Sequence, residues 1–174
     1  WAAQEALAVL DKDATIVLDG FTSSHFVTER MIGKHSGAVL DSGTFAGVGH
    51  GVGMGLGAQL ARPDKQTLVF MGDGGMGLGG FDVETAVRSH LPVVYFLSDN
   101  RAWMAAIGHM FVKSMPVLGE QDSHNPWFMV PTDYDKLFAS MGCYTEKVED
   151  PSQVRAAVER AFKSGRTTVL DVIC

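Results

Sequence analysis

The chain is most informative first in what it lacks. No apolar run among its 174 residues reaches the roughly 20 residues that cross a bilayer, so no membrane role is expected. Only two cysteines are present, Cys143 and Cys174, far apart and without metal-ligand spacing. That excludes a disulfide scaffold or a zinc module, and both read as free thiols of a reducing, cytoplasmic setting. Basic residues are in deficit: 14 Lys and Arg against 20 Asp and Glu give a net charge of −6, which argues against a nucleic-acid footprint. No signal-peptide pattern, internal repeat or low-complexity tract is legible. One domain spanning 1–174, able to bury about 70% of its unfolded surface, is expected.

Glycine, by contrast, is abundant. There are 20, most of them crowded between Gly43 and Gly80. They alternate at 47, 49, 51, 53, 55 and 57. Glycine weakens strands, so the run is read as a loop over 43–48 and a small-residue helix over about 49–61. Such a helix lets another backbone or a ligand approach closely, or simply packs tightly against its neighbours.

Elsewhere the pattern alternates strand and helix. Residues 2–10 form a helix, 15–18 a short buried strand, and 22–31 a helix capped by Thr22 or Ser23. Residues 66–71 and 91–97 are apolar on both faces, as covered parallel strands are. Between them lies a helix over 81–90. Residues 101–112 are read as helical, and 113–131, with three prolines, as a long loop. A helix over 132–141, a strand over 143–148, a helix opened by Asp150 and Pro151, and a strand over 167–173 complete the series. The expected fold is α/β, a three-layer parallel sheet with helices on both faces.

Chemistry concentrates where two of these strands end. The run Leu68–Met71 breaks into Gly72-Asp73-Gly74-Gly75, and the run 91–97 into Ser98-Asp99-Asn100. Adjacent parallel strands would bring Asp73 and Asn100 together at the carboxyl edge, where α/β sheets bind ligands. An acid, an amide oxygen and glycine N–H groups there suit a hard cation bridging to phosphate. Gly72-x-Gly74-x-x-Gly77 also matches the dinucleotide fingerprint, with Asp99 where a ribose-binding acid would stand. Against a nicotinamide (NAD) reading, Asp73 would oppose a pyrophosphate, and that repulsion turns to attraction only with a metal between them.

Gly72-Asp73-Gly74, with Asn100 following, resembles the diphosphate motif of thiamine-diphosphate-dependent enzymes. Asp41-Ser-Gly-Thr-Phe-Ala-Gly-Val-Gly49, Asp82-Val-Glu-Thr-Ala-Val-Arg88 and Leu91-Pro92 are similar to the 2-hydroxyacyl-CoA lyase, oxalyl-CoA decarboxylase and acetolactate synthase branch. The resemblance implies a thiamine-diphosphate-binding fold with Mg²⁺ held by Asp73, Asn100 and the Ala102 carbonyl. It implies cofactor contacts at Gly43, Thr44, Ala46, Val48, Gly72, Gly74, Gly75 and Ala102. Val48 takes the place of the bulky residue beneath the cofactor, usually Met, and Ala46 that of a glycine carbonyl facing the aminopyrimidine. Asp99 replaces the first Asn of the family's Asn-Asn pair.

The implied activity is C–C bond cleavage or decarboxylation of a small 2-hydroxyacyl-CoA or 2-oxoacid substrate. Acetolactate synthase-like carboligation and a non-catalytic cofactor-holding subunit are the alternatives. The activating Glu belongs, by resemblance, to a pyrimidine-binding domain that these residues do not contain. The chain is therefore expected to be half a site within an oligomer, as a fragment or, preferably, a split subunit.

His50 is read as a structural, hydrogen-bonded residue with substrate contact as the alternative, and Glu84 as solvent-facing. Trp103 and Met104 wall the site or pack in the core. His124 and Trp127 belong to a lid or a subunit contact. His25, His35, His90 and His109 are given no role.

Overall fold

The computed structural model describes residues 1–20, 27–31, 33, 35–45, 47–103 and 129–174. The six strands are β1 (Thr15–Leu18), β2 (Val39–Asp41), β3 (Thr67–Gly72), β4 (Val94–Asp99), β5 (Tyr144–Val148) and β6 (Thr168–Ile173). All pairings are parallel, in the order β2-β1-β3-β4-β6-β5. The helices are α1 (Ala2–Leu7), α2 (Gly51–Ala61), α3 (Asp73–Gly79), α4 (Val83–Arg88), α5 (Tyr134–Ala139) and α6 (Val154–Ser164).

Residue parity sorts the central strands into two cores. Val69, Met71, Tyr95 and Leu97 face one way, onto Val52 and Ala58 of α2, Ala86 of α4 and Phe138 of α5. Leu68, Phe70, Val94 and Phe96 face the other, onto Ala6 of α1 and Val154, Ala157, Val158 and Ala161 of α6. Phe70 and Phe96 meet as a tilted pair with centroids 5.1 Å apart. The three-layer α/β expectation therefore holds, because central strands buried on both faces need helices on both sides.

Local chemistry sets several boundaries. The Asp150 carboxylate accepts the Ser152 N–H at 2.8 Å, Pro151 occupies the first turn, and Gly165 closes α6 at φ +63°. The fully buried Gln59 donates its side-chain amide to the carbonyls of Pro63 and Lys65, fixing the turn out of α2.

Four elements differ from expectation. The first helix stops at Leu7 rather than at 10. The edge strand β2 is only 3 residues long and not fully buried, too short for a periodic signal. The expected helix over 81–90 begins as a 3₁₀ turn, Gly80–Asp82, and ends at Arg88. Residues 73–79, five of them glycine or aspartate, are helical although each glycine costs about 1 kcal/mol against Ala. Packing overrides that cost: a Cβ on Gly79 would lie 2.1 Å from the Gly49 carbonyl oxygen, so α3 sits in backbone contact with the start of α2. Of the expected helix over 22–31, Val27 and Thr28 are helical and 21–26 lie outside the described residues. So do residues 104–128, which hold most of the helix expected over 101–112 and of the long loop.

Candidate functional site

From β1 the chain moves out to β2 on one side and to β3 on the other, leaving a crevice at the carboxyl ends of the central strands. A cleft of about 510 Å³ opens there, lined by Asp19, Val48, Gly72 to Gly75, Asn100, Ala102 and Trp103 among others. A smaller hollow of about 220 Å³ beside β1 is lined by Leu7, Leu10, Ile16 and Met31 with Asp11, Lys12 and Arg30 among others.

Asp73 is the centre of the cleft's chemistry. It is 4% exposed. Its Oδ1 accepts the Gly74 N–H at 2.9 Å, while Oδ2 has no well-formed hydrogen bond among the described residues. Burial, and then the neighbouring Asp99 carboxyl, push its pKa up to about 6. Asp99 is likewise buried, and its Oδ1 accepts the Arg101 N–H at 3.0 Å. Asn100 turns its Oδ1 onto the Ala102 N–H at 2.9 Å. Arg101 makes this turn possible at φ +57°, a left-handed conformation that a non-glycine residue holds only at an energetic cost. The backbone is thus bent into a tight turn, and Asn100 and Ala102 line the same cleft as Asp73.

This geometry fits a hard cation. A buried carboxylate oxygen without a donor is costly unless something positive meets it. Among the described residues no group of three His, Cys, Asp or Glu could hold a metal. The donors at hand are instead mixed: a carboxylate, an amide oxygen and a backbone carbonyl. Mg²⁺ characteristically takes one or two carboxylates and completes its octahedron with water and phosphate oxygens.

The other expected positions divide. Gly74 and Gly75 lie in the first turn of α3. Trp103 covers Gly74, its ring only 2.9 Å from where a Cβ would stand, and so forms a wall of the cleft. Val48 lines the cleft and is 44% exposed. Gly43 and Thr44 are exposed and do not line it. Ala46 and Met104 lie outside the described residues, as do His25, His109, His124 and Trp127. Glu84 is exposed and pairs with Arg88 at 3.1 Å, in keeping with the solvent-facing reading.

Two buried acids were not singled out by the sequence. Asp19, at the end of β1, is 1% exposed. Its carboxylate accepts the N–H groups of Gly49 and Gly51 at 3.1 and 2.8 Å and lies 3.1 Å from His50 Nδ1. It therefore caps α2 from another element and stands beside His50, whose ring nitrogens form no well-formed hydrogen bond among the described residues. A Cβ on Gly75 would come within 2.1 Å of Asp19 Oδ2, so Asp19 also explains that glycine. The available signal was an acid terminating an apolar strand, as Asp73 does.

Asp171, on β6, is fully buried with no well-formed hydrogen bond to either oxygen among the described residues. Its pKa rises to about 6 through burial, with Asp99 and Asp135 adding to it. Tyr134 reaches the same region, its hydroxyl donating to the Asp73 carbonyl at 3.4 Å, and burial followed by Asp73 pushes its pKa to about 12. Both cysteines are free, Cys143 buried and Cys174 at the cleft.

Comparison with known proteins places the chain in a family. Residues 22–172 match the family model described as thiamine pyrophosphate enzyme, C-terminal TPP binding domain. An acetolactate synthase large subunit from Mycobacterium tuberculosis is 31% identical over 97% of this chain and 30% of its own. A 2-hydroxyacyl-CoA lyase from Oryza sativa subsp. japonica is 31% identical over 77% of this chain and 23% of its own. A solved thiamine diphosphate-dependent 4-hydroxybenzoylformate decarboxylase from Rhodococcus jostii RHA1 superposes with a TM-score of 0.81 at 25% identity, covering 97% of this chain and 31% of that one. The chain thus spans less than a third of the length of these relatives.

Proposed function

The chain belongs to the thiamine pyrophosphate enzymes as a C-terminal TPP binding domain, and on that premise we propose that it is the diphosphate- and Mg²⁺-anchoring half of a C–C lyase or decarboxylase resembling 2-hydroxyacyl-CoA lyase. The family membership sets aside the dinucleotide reading of Gly72-x-Gly74-x-x-Gly77. The observation that carries the proposal is Asp73: almost wholly buried, lining the cleft together with Asn100 and Ala102, with one carboxylate oxygen lacking a well-formed hydrogen bond among the described residues.

In this reading Asp73, Asn100 and the Ala102 carbonyl hold Mg²⁺, and the N–H groups of Gly74 and Gly75 face the diphosphate. Trp103 and Val48 wall the cleft and keep water from the reacting end. Thiamine diphosphate, when bound, supplies the electron sink for breaking or making a C–C bond next to a carbonyl. The chain's own contribution is to bind, orient and desolvate. The activating Glu comes from a pyrimidine-binding domain, on a companion subunit or another part of a longer polypeptide, in an oligomer. The substrate is a small 2-hydroxyacyl-CoA or 2-oxoacid. Acetolactate synthase-like carboligation is the second reading, supported by the 31% identity to the mycobacterial synthase subunit.

The test is titration calorimetry of thiamine diphosphate with Mg²⁺ on the full protein, wild type against Asp73→Ala. The wild type should bind only with Mg²⁺, and the variant should lose binding at least 100-fold. Retained affinity in the variant would overturn the assignment of Asp73. Turnover of 2-hydroxyacyl-CoA against 2-oxoacid substrates, with the pyrimidine-binding partner present, then separates the two activities.

A further inference from the structure

The metal site carries one carboxylate more than the reading above uses. Asp99 ends β4 beside Asp73 on β3, where the register pairs Gly72 with Ser98. It is 2% exposed, and the pairing of Gly72 with Ser98 sets it next to Asp73 at the ends of the two strands. Among the described residues neither acid forms an ion pair with a basic side chain. Asp99 spends one oxygen on the Arg101 N–H, and Asp73 leaves Oδ2 unmatched while lining the cleft. Two buried carboxyls thus stand at adjacent strand ends where a single carboxylate would suffice to anchor a metal.

We propose that Asp99 enables this site to take up a divalent cation by itself, so that in this chain metal binding precedes diphosphate binding. The proposal rests on the reading of Asp73 as a metal ligand. With a single carboxylate and neutral oxygens, the protein offers one charge to a dication, and the remaining attraction has to come from the diphosphate. With Asp99 beside Asp73 the protein offers two, in a region that water screens poorly. Held by Asp73 and its neighbours, the cation would offset the repulsion that two carboxyls otherwise exert on the diphosphate. Asp99 acts through charge and position and need not ligate the metal.

The experiment uses Mn²⁺ as the probe and the full protein stripped of metal and cofactor. Loss of the free-ion electron paramagnetic resonance signal counts bound Mn²⁺ with and without thiamine diphosphate. The expected result is one Mn²⁺ bound at sub-millimolar concentration without cofactor. Asp99→Asn, which keeps an acceptor for the Arg101 N–H, should weaken that binding by about tenfold. It should still form the ternary complex once thiamine diphosphate is added. If wild type binds Mn²⁺ only with the cofactor present, or if Asp99→Asn binds it equally well without cofactor, the inference is overturned while the metal-site reading stands. If wild type fails to bind Mn²⁺ even with thiamine diphosphate, the reading itself falls, and the inference with it. The wild-type arm decides even if the variant does not fold.

Discussion

Asp19 and Asp73 stand at the ends of neighbouring parallel strands, joined by the pairing of Leu18 with Phe70. Both are almost wholly buried, at 1% and 4% exposure. Their surroundings are opposite. Asp19 receives two backbone N–H groups from the start of α2 and sits against His50. Asp73 receives one N–H on one oxygen and has no well-formed partner for the other. Burial and residue type are therefore the same, and the completeness of hydrogen bonding separates them. A buried acid whose partners all come from its own chain holds the fold together. One left incomplete is disposed towards something the chain does not supply.

The largest effect should come from breaking the satisfied member. Asp19→Ala leaves the Gly49 and Gly51 N–H groups without an acceptor, removes the carboxylate beside His50, and takes away the surface on which Gly75 packs. Charge-assisted hydrogen bonds of this kind contribute about 1.5–3 kcal/mol each, so a loss of about 4 kcal/mol is expected in chemical denaturation. A loss under about 1 kcal/mol would erase the distinction between the two aspartates.

Which parts of this were legible from residues alone follows from the range of the interactions. The two central strands announced themselves because apolar runs interrupted by Gly and Asp read locally. Asp73 and Asn100 were visible because each ends such a run and parallel pairing brings those ends together. Asp19 was equally visible as a strand end, but its role depends on Gly49 and Gly51 some 30 residues away, and no local pattern encodes that. Asp171 was hidden inside an apolar strand, where the expected neighbours are hydrophobic. The helicity of 73–79 was hidden because glycine propensity opposes it and only the contacts of Gly75 with Asp19 and Gly79 with Gly49 decide it. The glycine alternation itself resolves into packing: Gly49, Gly51 and Gly55 each face a close neighbour, and Gly53 and Gly57 face none.

Asp171 sharpens the comparison, because it is an incomplete acid at a position further from the cleft. Its pKa of about 6 lies above the ordinary 3.8. The folded state therefore binds its proton more tightly than the unfolded state does. Stability from this residue is fully present below about pH 4 and is lost as pH rises through 6. Asp171→Asn removes the penalty, so it should stabilise the protein at pH 7.5 by about 2 kcal/mol and have little effect at pH 4. Denaturant midpoints at the two pH values measure it. A variant that is less stable than wild type at pH 7.5 would show that Asp171 has a donor when folded.

Asp73→Asn should move stability less, and in the opposite sense to Asp19→Ala. Replacing an unmatched buried carboxyl with an amide is expected to raise apo stability by about 1 kcal/mol while abolishing Mg²⁺-dependent cofactor binding. Thermal unfolding with and without thiamine diphosphate and Mg²⁺ reads both. Wild type should gain melting temperature on loading, and the variant should start slightly higher and gain nothing. A variant that loses apo stability would place Asp73 with Asp19, among the acids that hold the fold.

The smallest effect separates glycines that the fold requires from those it tolerates, in the same helix that Asp19 caps. Gly53 is exposed on α2, and a Cβ there would meet nothing within 4 Å, whereas one on Gly55 would lie 2.6 Å from Val69 Cγ2. Gly53→Ala should therefore stabilise by about 0.5 kcal/mol, the entropy that a helical glycine costs. Gly55→Ala must displace a side chain on β3, so it should destabilise. If partner contact covers the exposed face of α2 in the assembled protein, Gly53→Ala will stabilise the isolated chain yet weaken assembly. Measuring unfolding and oligomer dissociation on the same variant therefore shows whether the open glycines of α2 are spared by solvent or reserved for a neighbour.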